Sequence, residues 1–253
     1  MTVLVTGDVH GTADCGKLME FYFNKDNELG LAKDDYLIVC GDFGFVWNND
    51  FEMDKYYLDW LNDKPWTTLF VDGNHENHDR LNNEFDVEEW NGGKIHRIRD
   101  SVIHLMRGQV FDIEGKKFFT MGGAYSHDKA YREPGYTWWE AEVPSDDERA
   151  EAITNLEKYG WNVDYVITHE APVDIANELI YAKHDRTRIA NEYMDWLQYA
   201  IADKLEYKQW YNGHYHLDKD YMNGKHMAMY DRIVSIDEPE KNLCGYYRSH
   251  WAY

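Results

Sequence analysis

The sequence predicts an α/β fold in which two β-sheets pack together and helices cover their outer sides. Apolar β-like runs alternate with helical segments in the N-terminal part, short β-like runs follow in the middle, and helices alternate with strands again afterwards. No Pro/Ser-rich linker, internal repeat or low-complexity segment divides the 253 residues. We therefore expect one domain over residues 1–253, long enough to bury a substantial core.

The N-terminal part is predicted to alternate strands with helices. Its strands are expected at residues 2–6, 36–40 and 67–71, and its helices at about 14–24 and 51–61. Four short β-like runs follow, at residues 94–98, 102–106, 109–113 and 116–121. Glu114 and Gly115 stand between the last two runs, a pattern typical of a hairpin turn.

The C-terminal part opens with a helix whose start is marked by a capping box. Ser145 and Glu148 have the spacing of such a box, so a helix is expected from there to about Tyr159. A strand at 163–168, a helix at about 188–203, a weaker strand signal at 209–211 and late strands near 227–230 and 233–236 complete the prediction. The apolar face of the 188–203 helix is expected to comprise Trp196, Leu197, Ala200 and Ile201.

Short polar motifs follow five of these β-like runs. They are Asp8-Val9-His10, Gly41-Asp42, Gly73-Asn74-His75-Glu76, Thr168-His169-Glu170 and Gly213-His214-Tyr215-His216. In an open α/β sheet the carboxyl ends of the strands form the crevice where ligands bind. Five sets of Asp, Asn and His side chains at one sheet edge therefore predict a metal centre. Its seven candidate ligands are Asp8, His10, Asp42, Asn74, His169, His214 and His216.

The mixture of imidazole and oxygen ligands indicates which metals would bind. It suits Mn, Fe or Zn better than Ca or Mg. Seven ligands are too many for one tetrahedral zinc with an open position. They suit two metals about 3.5–4 Å apart, as in two-metal phosphatases and nucleases. One carboxylate must then bridge the pair, and Asp42 is the natural candidate. Two divalent ions are expected, Mn²⁺ first, with Fe, Zn, Ni or Mg as alternatives.

Taken in order, the five motifs resemble the signature of the calcineurin-like metallophosphoesterase superfamily: D-x-H, G-D, G-N-H-[ED], H and G-H-x-H. The resemblance extends from Asp8 to His216. It implies a four-layer α/β/β/α sandwich of two mixed sheets flanked by helices. It also implies that a metal-bridging hydroxide hydrolyses a phosphate ester, with His75 as the catalytic general acid. One metal would be held by Asp8, His10, Asp42 and His216, and the second by Asp42, Asn74, His169 and His214.

Two features of the chain bear on the substrate. The Gly41-Asp42 motif continues as Phe43-Gly44, without the second Asp and the Arg-Gly of the serine/threonine phosphatase branch, which argues against a protein phosphatase. Arg80 could supply a phosphate contact instead, or could be a surface residue. A segment at residues 122–144 has the length of a functional lid or binding loop. Its candidate substrate contacts are His127, Trp138 and Trp139. The two tryptophans could stack on a nucleobase or, alternatively, hold the loop down by being buried.

Two other motifs are rejected as coincidences. Residues 11–18 nearly match a P-loop, but Leu18 replaces the hydroxyl residue that should hold Mg²⁺. A P-loop would also leave Asn74, His75 and the His214-x-His216 pair without a role. Asp42-Phe43-Gly44 spells the kinase magnesium motif, but no catalytic loop of the H-R-D type precedes it. Five further histidines are interpreted as structural or surface residues: His96, His104, His184, His226 and His250.

The composition limits the partners. A formal net charge of -21 disfavours long nucleic acids, which bind mainly through Lys and Arg. Two divalent cations could still make a local site for a small phosphorylated substrate. No signal peptide opens the chain and no apolar stretch approaches the roughly 20 residues of a membrane span. Three cysteines without C-x-x-C spacing fit a reducing compartment. We therefore expect a cytoplasmic protein without membrane partners; the oligomeric state stays open.

These observations favour an enzyme that hydrolyses a small phosphomonoester or phosphodiester, with nucleotides among the candidate substrates. A nuclease of the same superfamily is the alternative within this class, and it would need a basic groove leading to Asp42. A non-catalytic metal-binding interaction module is the alternative outside it. Such a module would be expected to lack the catalytic histidine or several ligands, whereas His75 and all seven ligand positions are present.

Overall fold

The structure is a computed structural model that describes residues 1–23, 29–47, 51–183 and 190–244. These residues contain two mixed β-sheets. The strands of the first sheet are β1 Val3–Thr6, β2 Tyr36–Cys40, β3 Thr67–Val71, β4 Val87–Trp90, β5 Gly93–Arg99, β6 Val102–Leu105, β13 Ile233–Ser235 and β14 Glu238–Asn242. Those of the second are β7 Gln109–Ile113, β8 Lys116–Met121, β9 Tyr165–Thr168, β10 Gln209–Asn212, β11 Lys219–Tyr221 and β12 His226–Ala228. The first sheet has the strand order β14-β13-β1-β2-β3-β6-β5-β4 and the second β11-β12-β10-β9-β8-β7.

Helices cover the outer faces of both sheets. They are α1 Gly16–Phe21, α2 Phe51–Asn62, α3 His78–Asn83, α4 Asp146–Lys158, α5 Val173–Lys183 and α6 Glu192–Trp196. A π-helical turn, Leu197–Ala202, continues α6, and short 3₁₀ turns lie at Lys129–Tyr131, Glu140–Glu142 and Met222–Gly224. The alternation of side chains along the strands explains this layering. In β1, Val3 and Val5 pack in the core between the sheets, whereas Leu4 packs against the helices on the other side.

The predicted two-sheet α/β architecture is therefore confirmed, including the four layers that the family resemblance implies. The hairpin between β7 and β8 turns through Glu114 and Gly115, with φ of 56° and 73°. Ser145 and Glu148 form the predicted capping box at the start of α4. The helix expected at 14–24 begins at Gly16, and its predicted end lies outside the described residues, as does the start expected at residue 188.

Several edge elements were not predicted from the sequence. Strand β4 has the sequence Val-Glu-Glu-Trp and is largely exposed. Strand β14 contains Pro239 and is also mostly exposed. Neither strand alternates apolar and polar residues as a half-buried strand does, because an edge strand with both faces exposed to solvent does not need that pattern. The short helix α3, the helix α5 and the three-residue strand β11 were missed as well.

The sheet register brings the carboxyl ends of the motif-bearing strands together. In the first sheet Thr6 of β1 pairs with Val39 of β2, and Cys40 pairs with Val71 of β3, all in parallel. In the second sheet Thr168 of β9 pairs in parallel with Asn212 of β10. The segments that follow these five strands carry the five polar motifs. The motifs therefore lie together at one end of the sandwich.

Candidate metal centre

Two groups of potential ligands meet at this end of the sandwich. The first ligand group consists of Asp8, His10, Asp42 and His216, whose ligand atoms all lie within 4.8 Å of one another. The second consists of Asp42, His169 and His214 under the same limit. The predicted ligand Asn74 joins the second group, since its Oδ1 lies 3.1 Å from His169 Nε2. The structure thus brings all seven candidate ligands together and places Asp42 in both groups.

Asp42 is central in its contacts as well. One carboxylate oxygen, Oδ2, lies 3.1 Å from His10 Nε2. The other, Oδ1, lies 3.3 Å from His169 Nε2. Asp42 is 1% exposed, so its carboxylate faces these imidazoles rather than water. A carboxylate whose two oxygens face two different imidazole sets has the position that a bridging ligand needs.

Glycines let the motif segments approach one another closely. A Cβ at Gly73 would lie 2.1 Å from Asp42 Oδ1, and a Cβ at Gly213 would lie 2.1 Å from Asp8 Oδ1. Only glycine fits at such distances. Because no side chain stands at these two positions, backbone N–H groups close to them can reach the carboxylates. His75 N donates to Asp42 Oδ1 at 2.7 Å, and His214 N donates to Asp8 Oδ1 at 2.9 Å.

Four of the candidate ligands have left-handed backbone conformations. The φ angles are 47° at His10, 45° at Asp42, 70° at His214 and 50° at His216. Non-glycine residues adopt this region at a cost of order 1–3 kcal/mol each, and such residues cluster at functional sites. The fold therefore holds these four side chains in place against local backbone preference.

The electrostatics of the cluster favour positive charge. Burial alone would raise the pKa of Asp42, but the nearby His169 and His75 hold it well below its usual range. Burial lowers the pKa of His10, yet its hydrogen bonds to Asp14 and Asp42 raise it to about 10. Burial also lowers the pKa of His169, while the charge of Asp42 raises it to about 9. The buried carboxylates thus attract cations here, and the mixed nitrogen and oxygen donors fit divalent transition metals.

Contacts behind the ligands hold their orientation. His10 Nδ1 donates to Asp14 Oδ2 at 2.7 Å, and His169 Nδ1 donates to the Cys40 carbonyl at 2.9 Å. Such outer hydrogen bonds orient metal-binding imidazoles. The buried Glu76 accepts hydrogen bonds from Phe43 N at 2.6 Å and Gly44 N at 3.2 Å, which fixes the backbone just after Asp42. The sequence motif contains Glu76, but the motif alone did not reveal this role.

Lys17, the lysine of the apparent P-loop, has a structural role beneath the site. Its side chain is fully buried, and its Nζ donates to the carbonyls of Gly7, at 3.1 Å, Asp8, at 2.6 Å, and Tyr230. Burial lowers the pKa of this amine. The amine is therefore committed to the backbone around Asp8, and the rejection of a P-loop is supported by its position.

Asn74 is held by the predicted substrate loop. Its Nδ2 donates to Ser126 Oγ at 3.0 Å, and Ser126 Oγ in turn donates to Glu142 Oε2 at 2.6 Å. Ser126 N also donates to Glu142 Oε1 at 2.9 Å. Glu142 is 1% exposed. This chain of hydrogen bonds fixes which end of the Asn74 amide is its oxygen, and it turns that oxygen toward His169.

Replacing Ser126 tests this positioning. In Ser126→Ala the Asn74 amide loses its acceptor, so we expect the second ligand group to bind metal about 10–100-fold more weakly. The first ligand group should be unaffected. Metal titration by calorimetry would resolve the two affinities. Ser235→Ala, in β13 of the first sheet, is the matched control. Equal effects of the two substitutions would contradict the positioning role.

A second buried network ties the same loop to the end of β3. Arg107 Nη2 donates to Asp72 Oδ2 at 2.6 Å and to the Ala141 carbonyl at 2.9 Å. Asp72 Oδ1 lies 3.2 Å from His104 Nε2, and His104 Nδ1 lies 3.1 Å from His96 Nδ1. His96 and His104 are thus buried in structural contacts, as expected.

The other three histidines to which the sequence analysis assigned a structural or surface role are His184, His226 and His250. The buried His226 has its Nε2 3.0 Å from Asn212 Oδ1, so it also makes a structural contact. The remaining two, His184 and His250, lie outside the described residues.

His75 lies beside the ligands and is half-buried. Its ring centroid is 5.3 Å from that of His10 and 6.2 Å from that of Trp47. Burial lowers the pKa of His75, the charge of Asp42 raises it, and the Arg132 guanidinium lowers it again. The resulting pKa is about 4. The free protein therefore carries a neutral His75 at pH 7, whereas the sequence argument assumed a protonated one. A bound anion next to the ring would raise this pKa again.

The structure does not support the phosphate contact predicted for Arg80. Arg80 is the third residue of α3, after the N-cap Asn77. Its Nη1 donates to Asp54 Oδ2 at 2.6 Å and its Nε to Glu84 Oε1 at 3.0 Å. Arg80 is 8% exposed and is engaged by two carboxylates, so it belongs to the packing of α3 against α2.

The three candidate substrate contacts on the 122–144 loop differ in burial and in their neighbours. Trp139 is buried, packs edge-on against Trp47 with 5.3 Å between ring centroids, and donates from Nε1 to Asp79 Oδ2 at 3.0 Å. It holds the loop down, so the prediction that it stacks on a nucleobase is not supported. Trp138 is half-buried and lines a different cavity, with Tyr125. His127 is exposed.

A cavity of about 230 Å³ opens directly beside His75 and His10. Its walls include the aromatic side chains of Phe45, Trp47 and Tyr57. Phe45 and Tyr57 carried no sequence signal because their role in the cavity depends on tertiary packing. The cavity therefore adjoins the candidate centre directly.

Two solved structures are similar to this chain at low sequence identity. One is the phosphopantetheinyl hydrolase PptH of Mycobacterium tuberculosis, with a TM-score of 0.47 and 16% identity over 91% of this chain and 90% of that one. The other is a 5'-nucleotidase precursor of Thermus thermophilus, with a TM-score of 0.42 and 14% identity over 91% of this chain and 48% of that one. No curated protein sequence matches the chain. In the described part of the chain, every helix is too short or too polar to cross a membrane.

The model of one protein family matches residues 1–218. Its description is calcineurin-like phosphoesterase. The match covers most of the 253 residues and contains all five motifs whose side chains meet at the end of the sandwich. The chain therefore belongs to the calcineurin-like phosphoesterase family and is a metal-dependent phosphoesterase.

Proposed function

We propose that the protein hydrolyses a small phosphate ester with the help of two divalent metal ions, Mn²⁺ in the first instance. The observation that carries the proposal is the shared position of Asp42, which belongs to both ligand groups. When bound, the two metals would supply an activated water and stabilise charge on the phosphoryl oxygens. The first would be held by Asp8, His10, Asp42 and His216, and the second by Asp42, Asn74, His169 and His214.

His75 is proposed to donate a proton to the leaving oxygen. Its ring lies at the border between the ligands and the cavity, because it contacts His10 on one side and lines the pocket on the other. The leaving group of a substrate whose phosphate sits at the ligands would lie in this pocket. The negative phosphate would raise the pKa of the neutral imidazole, so His75 would take up its proton in the substrate complex.

The pocket favours a small substrate. Its volume of about 230 Å³ is below the roughly 300–1,000 Å³ typical of sites for drug-sized ligands. Aromatic walls suit a leaving group with one flat or apolar moiety, and a mononucleotide is a candidate of this kind. Cys15 and Cys40 are buried thiols, which is consistent with the proposal that the enzyme acts in the cytoplasm.

A nuclease is the second candidate, and the charge distribution disfavours it. Among the described residues that line the pocket, none is Lys or Arg, and Asp54 is among them. The whole chain has a net charge of -21. A groove for a polyanion needs several cations along its length.

Metal removal provides the test. We expect purified protein to contain two metal ions per chain, and chelation by EDTA to abolish hydrolysis of p-nitrophenyl phosphate or bis-p-nitrophenyl phosphate. Added Mn²⁺ should restore it. Elemental analysis and the rates with both esters measure these results, and the preferred ester decides between monoesters and diesters. Protein without metal, or hydrolysis that survives complete chelation, would refute the proposal.

A further inference from the structure

We propose that Arg132, on the 122–144 loop that contacts Asn74 and His75, forms a binding site for the phosphoryl oxygens of the substrate. This inference rests on the proposed function. The chain has no arginine directly after its Gly41-Asp42 motif, and Arg80 is engaged elsewhere. In the described part of the chain, Arg132 is a cation whose guanidinium reaches His75, and it belongs to the 122–144 segment.

The loop orients the Arg132 guanidinium. Arg132 follows the 3₁₀ turn Lys129–Tyr131. Its Nε donates to Asp128 Oδ1 at 2.7 Å, and its Nη1 donates to the Thr137 carbonyl at 3.2 Å. The terminal nitrogens then face His75: Nη1 lies 3.3 Å from Nδ1 and Nη2 lies 3.2 Å from Nε2. The side chain is 18% exposed, so the guanidinium lies within the site rather than on the outer surface.

The loop that carries Arg132 is itself fixed. Trp139 anchors it to Asp79 and packs on Trp47. Ser126 and Glu142 anchor its other arm to Asn74. A cation held by such a loop keeps its position without a ligand. A preorganised donor of this kind loses little conformational entropy when it binds an oxyanion.

His75 can accept only part of the hydrogen bonds that the Arg132 guanidinium can donate. An imidazole has at most one acceptor nitrogen in any protonation state, whereas the two terminal nitrogens of an arginine carry about four N–H groups. Apart from the bond to Thr137, at most one of these can be satisfied by His75. The fork of an arginine matches two oxygens of a phosphoryl group. A phosphate placed between the metal ligands and this fork would also lie within reach of the His75 ring.

The ion pair with Asp128 explains why a cation is tolerated here. The Asp128 side chain is 37% exposed and balances the charge of Arg132 in the free protein, while the arginine lowers the pKa of Asp128 against the effect of its burial. Two bound metal ions and Arg132 would together make the site locally positive, although the whole chain has a net charge of -21. An anionic substrate is then attracted to the centre of an acidic protein.

The test compares inorganic phosphate binding by the Mn²⁺-loaded protein and its variants, measured by calorimetry. Arg132→Ala is expected to weaken phosphate binding about 10–100-fold, the effect of losing a charged hydrogen-bonding partner. Arg132→Gln keeps a hydrogen-bonding side chain without the charge and should show a similar loss. Lys129→Ala removes an exposed cation from the same loop, and it should bind phosphate as the wild type does.

Chemical rescue separates direct binding from a role in holding the loop. Added guanidinium should restore part of the phosphate affinity, and of kcat/KM, to Arg132→Ala but not raise either in the wild type. Unchanged phosphate affinity in both Arg132 variants, or wild-type protein that takes up Mn²⁺ but no phosphate, would overturn the inference. Wild-type protein that binds phosphate but hydrolyses no ester would refute the proposed function alone, because the affinity comparison would still decide the role of Arg132.

Discussion

Asp42→Asn is expected to abolish activity almost completely and to reduce the bound metal to one ion per chain or fewer. The substitution keeps the shape of the side chain but replaces an oxygen that faces one ligand group. Oδ2 faces His10 at 3.1 Å and Oδ1 faces His169 at 3.3 Å, and an amide offers only one oxygen. A two-metal site supplies several kcal/mol of transition-state stabilisation. Its loss corresponds to a fall of about 10³-fold or more in kcat/KM.

Elemental analysis and steady-state rates measure both parts of this result. Asp100→Asn, at an exposed turn between β5 and β6, is the control and should keep metal and activity. The Asp42→Asn variant should also remain folded, because the amide has nearly the size of the carboxylate and can still hydrogen-bond to the surrounding imidazoles. Two metals per chain and wild-type turnover in Asp42→Asn would exclude a bridging role.

His75→Ala is expected to lower kcat about 10²–10⁴-fold for alkyl phosphate esters, the usual contribution of general acid catalysis. The fall should be much smaller for p-nitrophenyl esters, since p-nitrophenolate leaves without needing a proton. Metal content should not change, because the hydrogen bond of this residue to Asp42 is made by its backbone N–H, which alanine retains. Rates for the two ester types, with the metal content of the same samples, measure the effect.

The comparison of ester types distinguishes catalysis from packing. If His75 only supports its neighbours, its removal would lower both rates by the same factor or would release metal. Either result would contradict the proton-donor role. In the free protein the pKa of His75 is about 4, so the proton is expected to be acquired only in the complex with the anionic substrate.

The meeting of the candidate ligands at one place could be predicted from the sequence because local signals place them. Each follows a run of apolar residues that forms a buried strand, and parallel register brings the strand ends to the same level. Asp8 and His216 are far apart in the chain. Their place in one ligand group was predicted because the ordered motifs to which they belong resemble the family signature.

The residues around the ligands could not be predicted in this way. Lys17 resembled a phosphate-binding lysine, and only the tertiary structure shows its amine beneath Asp8. Ser126 contacts Asn74 across 52 residues of sequence, and Arg132 contacts His75 across 57. Arg80 seemed available because the helix α3, which turns it toward Asp54, has no clear sequence signal. Long-range contacts of single polar side chains leave no periodic pattern to detect.

The left-handed conformations at His10, Asp42, His214 and His216 set a limit on engineering this protein for heat resistance. Replacing such residues by glycine relieves backbone strain, so stability screens of metal-free protein would select these positions first. The selected variants would unfold at a higher temperature and yet be inactive, since each change removes a candidate metal ligand. A thermostable version of this enzyme therefore has to be sought among its polar edge strands and surface loops, with the four strained positions left as they are.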